Sequence, residues 1–304
     1  MKTSVVLIAY NQEETVKMAV KSLLEQTGGP YEILLSDDSS TDKTYEIMQE
    51  AVSEFPTVHT VIFNRNDKNL GIAEHINKVF DISSGDIVIF NAGDDISLPN
   101  RCTRLLEEFE RTNAWLVHSH AKCVDKNGNV AQQSYRNAQF FKTDDLAALS
   151  TAKALFLGAT GSYHRNIVDK YGKLSNPNLF EDLIFGFRAA LERKISFIDD
   201  ELLIYLSHGG VSSKTDINGN AKQNLASYKS LTRFLAVLEQ RENDAKIFGL
   251  KKNHPVFRSI KKTRRRTLIE VSILFQKQEF FWGLALKSPI HTIRTFWRSR
   301  KMSQ

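Results

Sequence analysis

The chain is organised around the stretch Ile87-Val88-Ile89-Phe90-Asn91-Ala92-Gly93-Asp94-Asp95-Ile96-Ser97-Leu98-Pro99. Its four leading apolar residues predict a strand buried on both faces, as in a parallel sheet. Pro99 suits the first turn of a helix, where a missing N–H costs nothing. Asp94 and Asp95 should then follow the carboxyl end of a central strand, where open α/β sheets bind ligands. Adjacent carboxylates repel each other unless a cation or donor lies between them, so the pair predicts a divalent metal site. The alternative is a solvated acidic turn ahead of the helix.

The first half of the chain alternates strand and helix patterns with short connections, which predicts βαβ units and a mainly parallel sheet. Strands are expected at 4–9, 31–36 and 58–63, ahead of the quoted strand. The second half predicts further strands at 115–124, 195–198 and 202–206, with a hairpin turn at Asn127-Gly128. A helix is expected from Phe180 to Leu191, and a long helix after Asn220.

The composition is that of an ordinary soluble globular protein, with 41% hydrophobic and 25% charged residues among 304. The apolar run that ends at Ala9 is too short for a signal peptide and predicts a first strand instead. No stretch reaches the roughly 18 apolar residues of a membrane-spanning helix. Cys102 and Cys123 are the only cysteines and lack metal-type spacing, which favours a reduced, cytosolic setting.

Three acidic pairs are expected at strand ends or helix starts: Asp37 and Asp38, Asp94 and Asp95, and Glu181 and Asp182. The first pair suits hydrogen bonding to a nucleotide base or ribose, but helix capping is its favoured interpretation when it is taken alone. Capping is also the default for the last pair, since a helix dipole favours carboxylates at its start. Asp182 nevertheless lies about 200° around the helix from Phe180, so it should point away from the apolar stripe.

Two weaker signals accompany these carboxylates. Asn69-Leu70-Gly71 precedes a helix whose N-terminus suits a phosphate, although Asn-x-Gly is common in turns. His208 begins a glycine-rich polar loop, where a histidine is ordinarily just exposed, but a neutral imidazole there can also bind a metal.

The order of these motifs resembles the family 2 glycosyltransferases with the GT-A fold, over about residues 3–212. The strongest parts are Val5-Val6-Leu7-Ile8-Ala9-Tyr10-Asn11, Asp37-Asp38-Ser39-Ser40-Thr41-Asp42, and Gly93-Asp94-Asp95 with Pro99. The resemblance implies an α/β GT-A fold and transfer of a sugar from a nucleotide-diphosphate sugar, with a UDP-sugar favoured. It also implies an acceptor hydroxyl on a saccharide or lipid-linked saccharide.

The resemblance assigns roles to individual residues. The donor-binding set that it implies is Ala9, Tyr10, Asn11, Asp37, Asp38, Asn69, Gly71, Asp94 and Asp95. Asp94 corresponds to the last acid of the D-x-D motif, which binds the metal on the diphosphate, and His208 to a late histidine that reaches the metal or phosphates. Asp182, in the Glu181-Asp182 motif, corresponds to the catalytic base. Ala92 departs from the family, because the first acid of the D-x-D motif falls there.

The chemistry explains these residue types. A nucleoside diphosphate leaves more readily when a divalent metal, Mn²⁺ or Mg²⁺, neutralises its growing charge. Mg²⁺ typically uses one or two carboxylates together with phosphates, so Ala92 need not abolish binding. An acceptor hydroxyl needs a positioned base, and attack opposite the leaving group inverts the anomeric centre. The sequence therefore predicts an inverting, metal-dependent transferase with Asp182 as base.

The net charge of +6 conceals a basic tail. Residues 251–304 hold 14 Lys and Arg against Glu270 and Glu279, whereas the first 250 residues hold 27 basic and 33 acidic groups. Basic residues interleaved with Trp, Phe and Leu suit an anionic membrane surface. Packing on the catalytic domain or on a second subunit, as in a homodimer, is the alternative.

These observations predict a catalytic domain at 1–215, divided into a nucleotide-sugar half (1–112) and an acceptor half (113–215), and a helical basic region at 216–304. The expected setting is cytoplasmic, on the inner face of the cell membrane, in synthesis of a surface polysaccharide such as O-antigen or capsule. A nucleotidyltransferase is the competing enzyme, but Tyr10-Asn11-Gln12-Glu13 replaces the Gly-rich, basic phosphate loop expected after its first strand. A non-enzymatic protein that binds nucleic acid through the tail ranks low, and no nucleic-acid partner is expected, because the body is acidic.

Overall fold

The computed structural model describes residues 1–125, 129–130, 143–177, 179–206 and 220–275, with the backbone alone at 220–225, 273 and 275. The strands are β1 (Thr3–Ala9), β2 (Glu32–Asp37), β3 (Thr60–Arg65), β4 (Ile87–Ala92), β5 (Ile96–Ser97), β6 (Leu116–Val124), β7 (Ser162–His164) and β8 (Ile195–Leu206). The helices are α1 (Val16–Leu24), α2 (Thr44–Glu54), α3 (Ile72–Ile82), α4 (Arg101–Thr112), α5 (Leu146–Leu149), α6 (Asn166–Asp169), α7 (Glu181–Glu192), α8 (Asn220–Phe248) and α9 (Pro255–Phe275). A short 3₁₀ turn lies at Gly158–Thr160.

The strands form one sheet in the order β3-β2-β1-β4-β7-β6-β8-β5. The first four are mutually parallel, and β6 and β8 are also parallel. The short β7 runs antiparallel between β4 and β6. The predicted α/β architecture with a mainly parallel central sheet is therefore confirmed.

The two faces of the sheet follow the alternation of side chains along β4. Ile87 and Ile89 pack in the core with residues of α1, α2 and α4. Phe90 turns to the opposite face, where its ring lies 5.7 Å from that of Phe80 in α3. Phe80 in turn meets Phe185 of α7 edge to face at 5.7 Å. Because both faces are covered, the continuous apolar run of β4 is buried as the sequence predicted.

Three predictions about individual elements were wrong. β3 lies at Thr60–Arg65 and not at 58–63. Pro99 does not open the helix, because the Arg101 N–H closes a turn on Leu98 and α4 begins only at Arg101. The two strands predicted at 195–198 and 202–206 are one strand, β8. The acidic residues Asp199 and Asp200 interrupted the apolar pattern, and the pairing of β6 with β8 shifts register at this point, as in a β-bulge.

The chain divides into two compact units. One comprises Met1–Asp144 and Ala154–Ser213, and the other comprises Asp145–Lys153 and Lys214–Gln304. The predicted boundary at residue 215 did not assign residues 145–153 to the second unit. Arg241 of α8 is fully buried there and donates hydrogen bonds to the carbonyl oxygens of Leu149 and Ala152, at 3.1 and 2.8 Å. The hairpin turn expected at Asn127-Gly128 lies outside the described residues.

The second unit is built on the long helices α8 and α9. Arg264 of α9 pairs with Glu242 of α8 at 2.5 Å, and the α9 side chains Val256, Ile260 and Val271 are buried. In the part of the chain that the structure describes, every helix is too short or too polar to cross a membrane.

Candidate active site

The carboxyl ends of three neighbouring parallel strands meet at one edge of the sheet. Ala9, the last residue of β1, lies opposite Asp37 of β2. On the other side of β1, Ile8 lies opposite Ala92, the last residue of β4. From β1 the chain crosses to β2 on one side, whereas β4 lies on the other, so the strand order reverses at β1. Ligands of open α/β sheets bind outside the carboxyl ends at such a reversal.

Asp38 anchors the loop that leads into α3. One carboxylate oxygen accepts hydrogen bonds from Asn66 Nδ2 at 2.8 Å and from the Leu70 N–H at 2.9 Å. The other accepts from the Gly71 N–H, also at 2.9 Å. Asp38 is 3% exposed. Its carboxylate therefore holds the 66–71 loop against this edge of the sheet, and the backbone N–H groups of Leu70 and Gly71 already have an acceptor.

Asp37 is fully buried and holds the turn that follows it. Its carboxylate accepts hydrogen bonds from the Ser40 N–H at 2.9 Å and from the Ser40 hydroxyl, and it lies 3.4 Å from Arg65 Nε. Helix capping, the interpretation favoured for Asp37 and Asp38 when they are taken alone, was wrong, because their carboxylates accept hydrogen bonds from other groups. The N–H of Thr44, where α2 begins, donates to Asp42 Oδ1 at 3.0 Å.

The end of β1 is tied to the same turn. Asn11 takes a left-handed backbone conformation (φ 53°), and its side-chain oxygen accepts a hydrogen bond from the Thr41 N–H at 2.8 Å. The Asn11 N–H donates to Ser40 Oγ at 2.9 Å. Tyr10 is left 43% exposed beside the edge. An exposed aromatic ring at this place is available to a ligand.

The turn after β4 packs directly on the end of β1. A Cβ at Gly93 would lie 2.9 Å from the Ala9 Cβ, so the approach requires glycine. Asp95 is 2% exposed, and burial together with the neighbouring Asp94 carboxylate raises its pKa well above the ordinary range. Asp94 is only half-buried. Of the two carboxylates, Asp94 is therefore the more accessible to a metal or diphosphate.

Glu181 and Asp182 begin α7 and lie against the 3₁₀ turn. A Cβ at Gly158 would lie 3.2 Å from Glu181 Oε1 and 3.3 Å from the Asp182 Cβ. Asp182 Oδ1 accepts a hydrogen bond from the Leu183 N–H at 2.8 Å. Burial, and then the Asp182 carboxylate, raise the pKa of Glu181. Two adjacent carboxylates in a poorly solvated place suit a proton-accepting role.

The predicted apolar stripe on α7 was wrong in detail. Every residue from Leu183 to Leu191 is buried, so this helix is enclosed around its whole circumference rather than along one face. Asp182 is partly exposed because it lies in the first turn. Its exposure therefore does not depend on its angle from Phe180.

The family model described as "Glycosyl transferase family 2" matches residues 4–172. The chain belongs to this glycosyltransferase family. The match includes every donor-binding residue implied by the sequence resemblance and stops short of Glu181 and Asp182. Family membership favours the transferase over the nucleotidyltransferase alternative.

The relatives of this family 2 chain extend the comparison. An uncharacterized glycosyltransferase of Nostoc is 25% identical over 229 residues, which cover 73% of this chain and 70% of that protein. TarS of S. aureus, in a crystal structure with UDP-GlcNAc, superposes with a TM-score of 0.58 at 18% identity, covering 100% of this chain and 93% of the other. The mannosyltransferase PcManGT of Pyrobaculum calidifontis, in complex with GDP-Man and Mn²⁺, gives a TM-score of 0.55 at 14% identity and covers 99% and 85%. These structural neighbours show the GT-A fold.

The side chains at this edge of the sheet fit a divalent metal only in part. Asp94 supplies a half-buried carboxylate just after the carboxyl end of β4, which suits Mg²⁺ or Mn²⁺ bound mainly through phosphates. Ala92 adds no ligand at the position of the missing acid. Among the described residues there is no group of three or more His, Cys, Asp or Glu side chains arranged to hold a metal ion. His208, the other predicted ligand, lies outside those residues.

Arg101 was missed by the sequence reasoning. Its side chain is fully buried and hydrogen-bonds Asn91 Oδ1, Ser97 Oγ and two backbone carbonyl oxygens behind the β4 turn. The available signal was its position four residues before Leu105 and eight before Phe109, on the apolar face of α4. A charge on an apolar stripe indicates a buried, paired group.

Proposed function

We propose that this protein is an inverting glycosyltransferase that moves a sugar from a UDP-sugar to a hydroxyl of a saccharide or lipid-linked saccharide. The observation that carries the proposal is the convergence of the β1, β2 and β4 ends at the reversal of strand order. The half-buried Asp94 lies at that edge. Family membership and the UDP-GlcNAc complex of TarS, a protein of the same fold, support a UDP-sugar as donor.

On the donor side, Tyr10 and Asn11 would meet the base and ribose. Asp38, with Asp37 behind it, would shape their pocket through the 66–71 loop. Asn69 and Gly71 would border the same pocket. Asp94 would hold Mn²⁺ or Mg²⁺ on the diphosphate, with Asp95 buried beside it. When bound, the metal neutralises charge on the departing diphosphate.

On the acceptor side, Asp182 would accept the proton of the attacking hydroxyl. Its carboxylate is partly exposed in the first turn of α7, and the adjacent Glu181 carboxyl has a raised pKa. A base that is held opposite the leaving group leads to inversion at the anomeric carbon.

Kinetics and binding of one variant test this function. A thermal-shift screen of nucleotide-sugars with and without Mn²⁺ first identifies the donor. Asp182→Asn should then abolish transfer while the dissociation constant for the donor stays within about threefold of wild type, because only the base is removed. Asp169→Asn, at the end of α6, is the control. Wild-type turnover in Asp182→Asn would refute the assignment, and a wild-type protein that neither binds nor turns over any nucleotide-sugar would refute the function.

We also propose that α9 binds an anionic membrane surface, as synthesis of a surface polysaccharide on a lipid carrier would require. The residues that support this are the exposed cations of α9, called the basic face below: Arg258, Lys261, Lys262, Arg265 and Arg266. They recur at helical spacing, with the partly exposed Ile269 one turn further on. Clusters of four or more cations on a helix favour anionic lipid.

A further inference from the structure

Arg101 connects two turns that are distant in sequence. Its Nη1 donates to Ser97 Oγ at 2.8 Å and to Asn91 Oδ1 at 3.1 Å. Its Nη2 donates to the Phe90 carbonyl at 2.9 Å and to the Ala159 carbonyl at 3.2 Å. A buried guanidinium is costly unless its donors are satisfied, and here four acceptors surround the two Nη atoms, whereas the buried Nε has no hydrogen-bond partner among the described residues. The last acceptor is 58 residues away along the chain.

On one side, Arg101 orders the turn that carries Asp94. The Asn91 side chain that accepts from Arg101 also donates, through Nδ2, to the carbonyl oxygens of Ala92 at 2.8 Å and Asp95 at 2.9 Å. These two carbonyls bracket Asp94 in the backbone. The guanidinium therefore fixes the rotamer of the amide that closes this turn.

On the other side, Arg101 holds the 3₁₀ turn at Gly158–Thr160, which lies against the proposed catalytic base, Asp182. Ala159 follows Gly158, whose Cα lies close enough to α7 that an added Cβ would be 3.2 Å from Glu181 Oε1 and 3.3 Å from the Asp182 Cβ. The 3₁₀ turn is thus a spacer between the guanidinium and the carboxylate pair.

We propose that Arg101 is a positioning residue that fixes the distance between the Asp94 turn and Asp182 for the transfer step. This rests on the proposed function. Transfer with inversion requires the base and the leaving group on opposite sides of one carbon, and a displacement of about 1 Å can cost about 100-fold in rate. A guanidinium suits this task, because its rigid fork donates in two directions at once whereas an ammonium is a point charge.

Arg101→Lys separates positioning from charge. It keeps the cation but cannot reach both turns, so we expect kcat to fall by about 10- to 100-fold while the dissociation constant for UDP changes by less than about threefold. Arg104→Lys is the matched control, since Arg104 is partly exposed on the same helix and pairs with Glu107 and Asp200. Its kcat should equal that of wild type. A kcat near wild type in Arg101→Lys, or a loss of UDP affinity as large as the loss of kcat, would overturn the proposal.

Gly158→Ala perturbs the same connection from the base side and keeps the proposal testable if Arg101→Lys does not fold. Its Cβ would displace the turn against Glu181 and Asp182 and leave in place the hydrogen bonds of Arg101 to Phe90, Asn91 and Ser97. We expect a loss of kcat without loss of UDP affinity, and a double variant whose kcat loss is smaller than the product of the single losses. Unchanged kcat, or fully multiplicative losses, would count against the connection.

An active wild type with unaffected variants refutes only the positioning role, whereas an inactive wild type that binds no nucleotide-sugar refutes the proposed function itself.

Discussion

The carboxylate of Asp38 accepts a hydrogen bond from the backbone N–H of Gly71 at 2.9 Å. The bond connects the end of β2 to the residue that precedes α3, where Gly71 takes a left-handed φ of 78°. Asp38 is thus a structural anchor of the loop that leads into α3.

Asp38→Asn should therefore destabilise the protein even without ligand. An amide has one acceptor oxygen in place of two, so either Asn66 Nδ2 and the Leu70 N–H or the Gly71 N–H loses its partner. We expect a loss of about 1–3 kcal/mol in the free energy of unfolding, measured by urea denaturation. Asp67→Asn, an exposed change in the same loop, should cost less than about 0.5 kcal/mol. Equal stability of the two variants would contradict the anchoring role.

The Glu181 and Asp182 pair should make stability depend on pH in a particular direction. Burial, and then the Asp182 carboxylate, raise the pKa of Glu181 in the folded protein above its unfolded value. Between those two pKa values the folded state binds a proton that the unfolded state has released. Stability therefore falls as pH rises through this interval.

Glu181→Gln removes this titration, so its melting temperature should exceed that of wild type at alkaline pH, while the difference shrinks toward pH 4. One pKa unit corresponds to about 1.4 kcal/mol, so a Glu181 pKa raised to about 8 predicts a gain of at least about 2 kcal/mol. Glu192→Gln, at the far end of α7, is a poor control because Glu192 accepts hydrogen bonds from Lys170 and Tyr171. The exposed Glu110→Gln is better. A stability difference that grows toward acid pH would refute the prediction.

The parts of the fold and site that the sequence predicted are those with local signals. The β1, β2 and β4 strands contain continuous apolar runs, and acidic residues lie at or just after the ends of β2 and β4. Parallel pairing then brings these ends together, because β1 lies between β2 and β4. This much requires only the strand pattern and the family resemblance.

The remaining features depend on contacts between distant segments. The role of Asp38 arises because the Asn66 side chain reaches it from the residue after β3. The role of Arg101 arises because Ala159 lies behind β4. The assignment of 145–153 to the second unit depends on Arg241, and the enclosure of α7 on the layers around it. None of these contacts has a periodicity or a motif in the sequence, so a buried charge on an apolar stripe was the only local indication.

The effect of Mn²⁺ on UDP binding tests whether Asp94 is a metal ligand. We expect Mn²⁺ to increase the thermal shift that UDP produces in the wild type and to have no such effect in Asp94→Asn, since Asp94 is the accessible carboxylate of the turn. Asp86→Asn is the control, because Asp86 is exposed at the opposite end of β4. A Mn²⁺ effect that persists in Asp94→Asn would assign the metal to other ligands. Isothermal titration of Mn²⁺ into the UDP complex gives an independent measure.

The basic face of α9 should bind anionic vesicles through charge. Truncation at residue 251 is a poor test, because it would remove Val256, Ile260 and Val271 from the core of the second unit. The variant Lys261→Glu/Lys262→Glu reverses two exposed charges and leaves those apolar residues in place. We expect its cosedimentation with phosphatidylglycerol vesicles to fall by at least about tenfold, since each cation near an anionic surface contributes about 1 kcal/mol.

The variant Lys78→Glu/Lys122→Glu is the matched control, because it makes the same change in net charge at exposed residues of the first unit. It should bind the vesicles like wild type. Binding should also weaken between 50 and 300 mM salt, because screening shortens the reach of exposed charges, and neutral phosphatidylcholine vesicles should bind neither protein. Equal losses in both double variants would mean that net charge, and not the face of α9, governs attachment. Unchanged binding after Lys261→Glu/Lys262→Glu would leave packing against a second subunit as the better explanation of the basic helix.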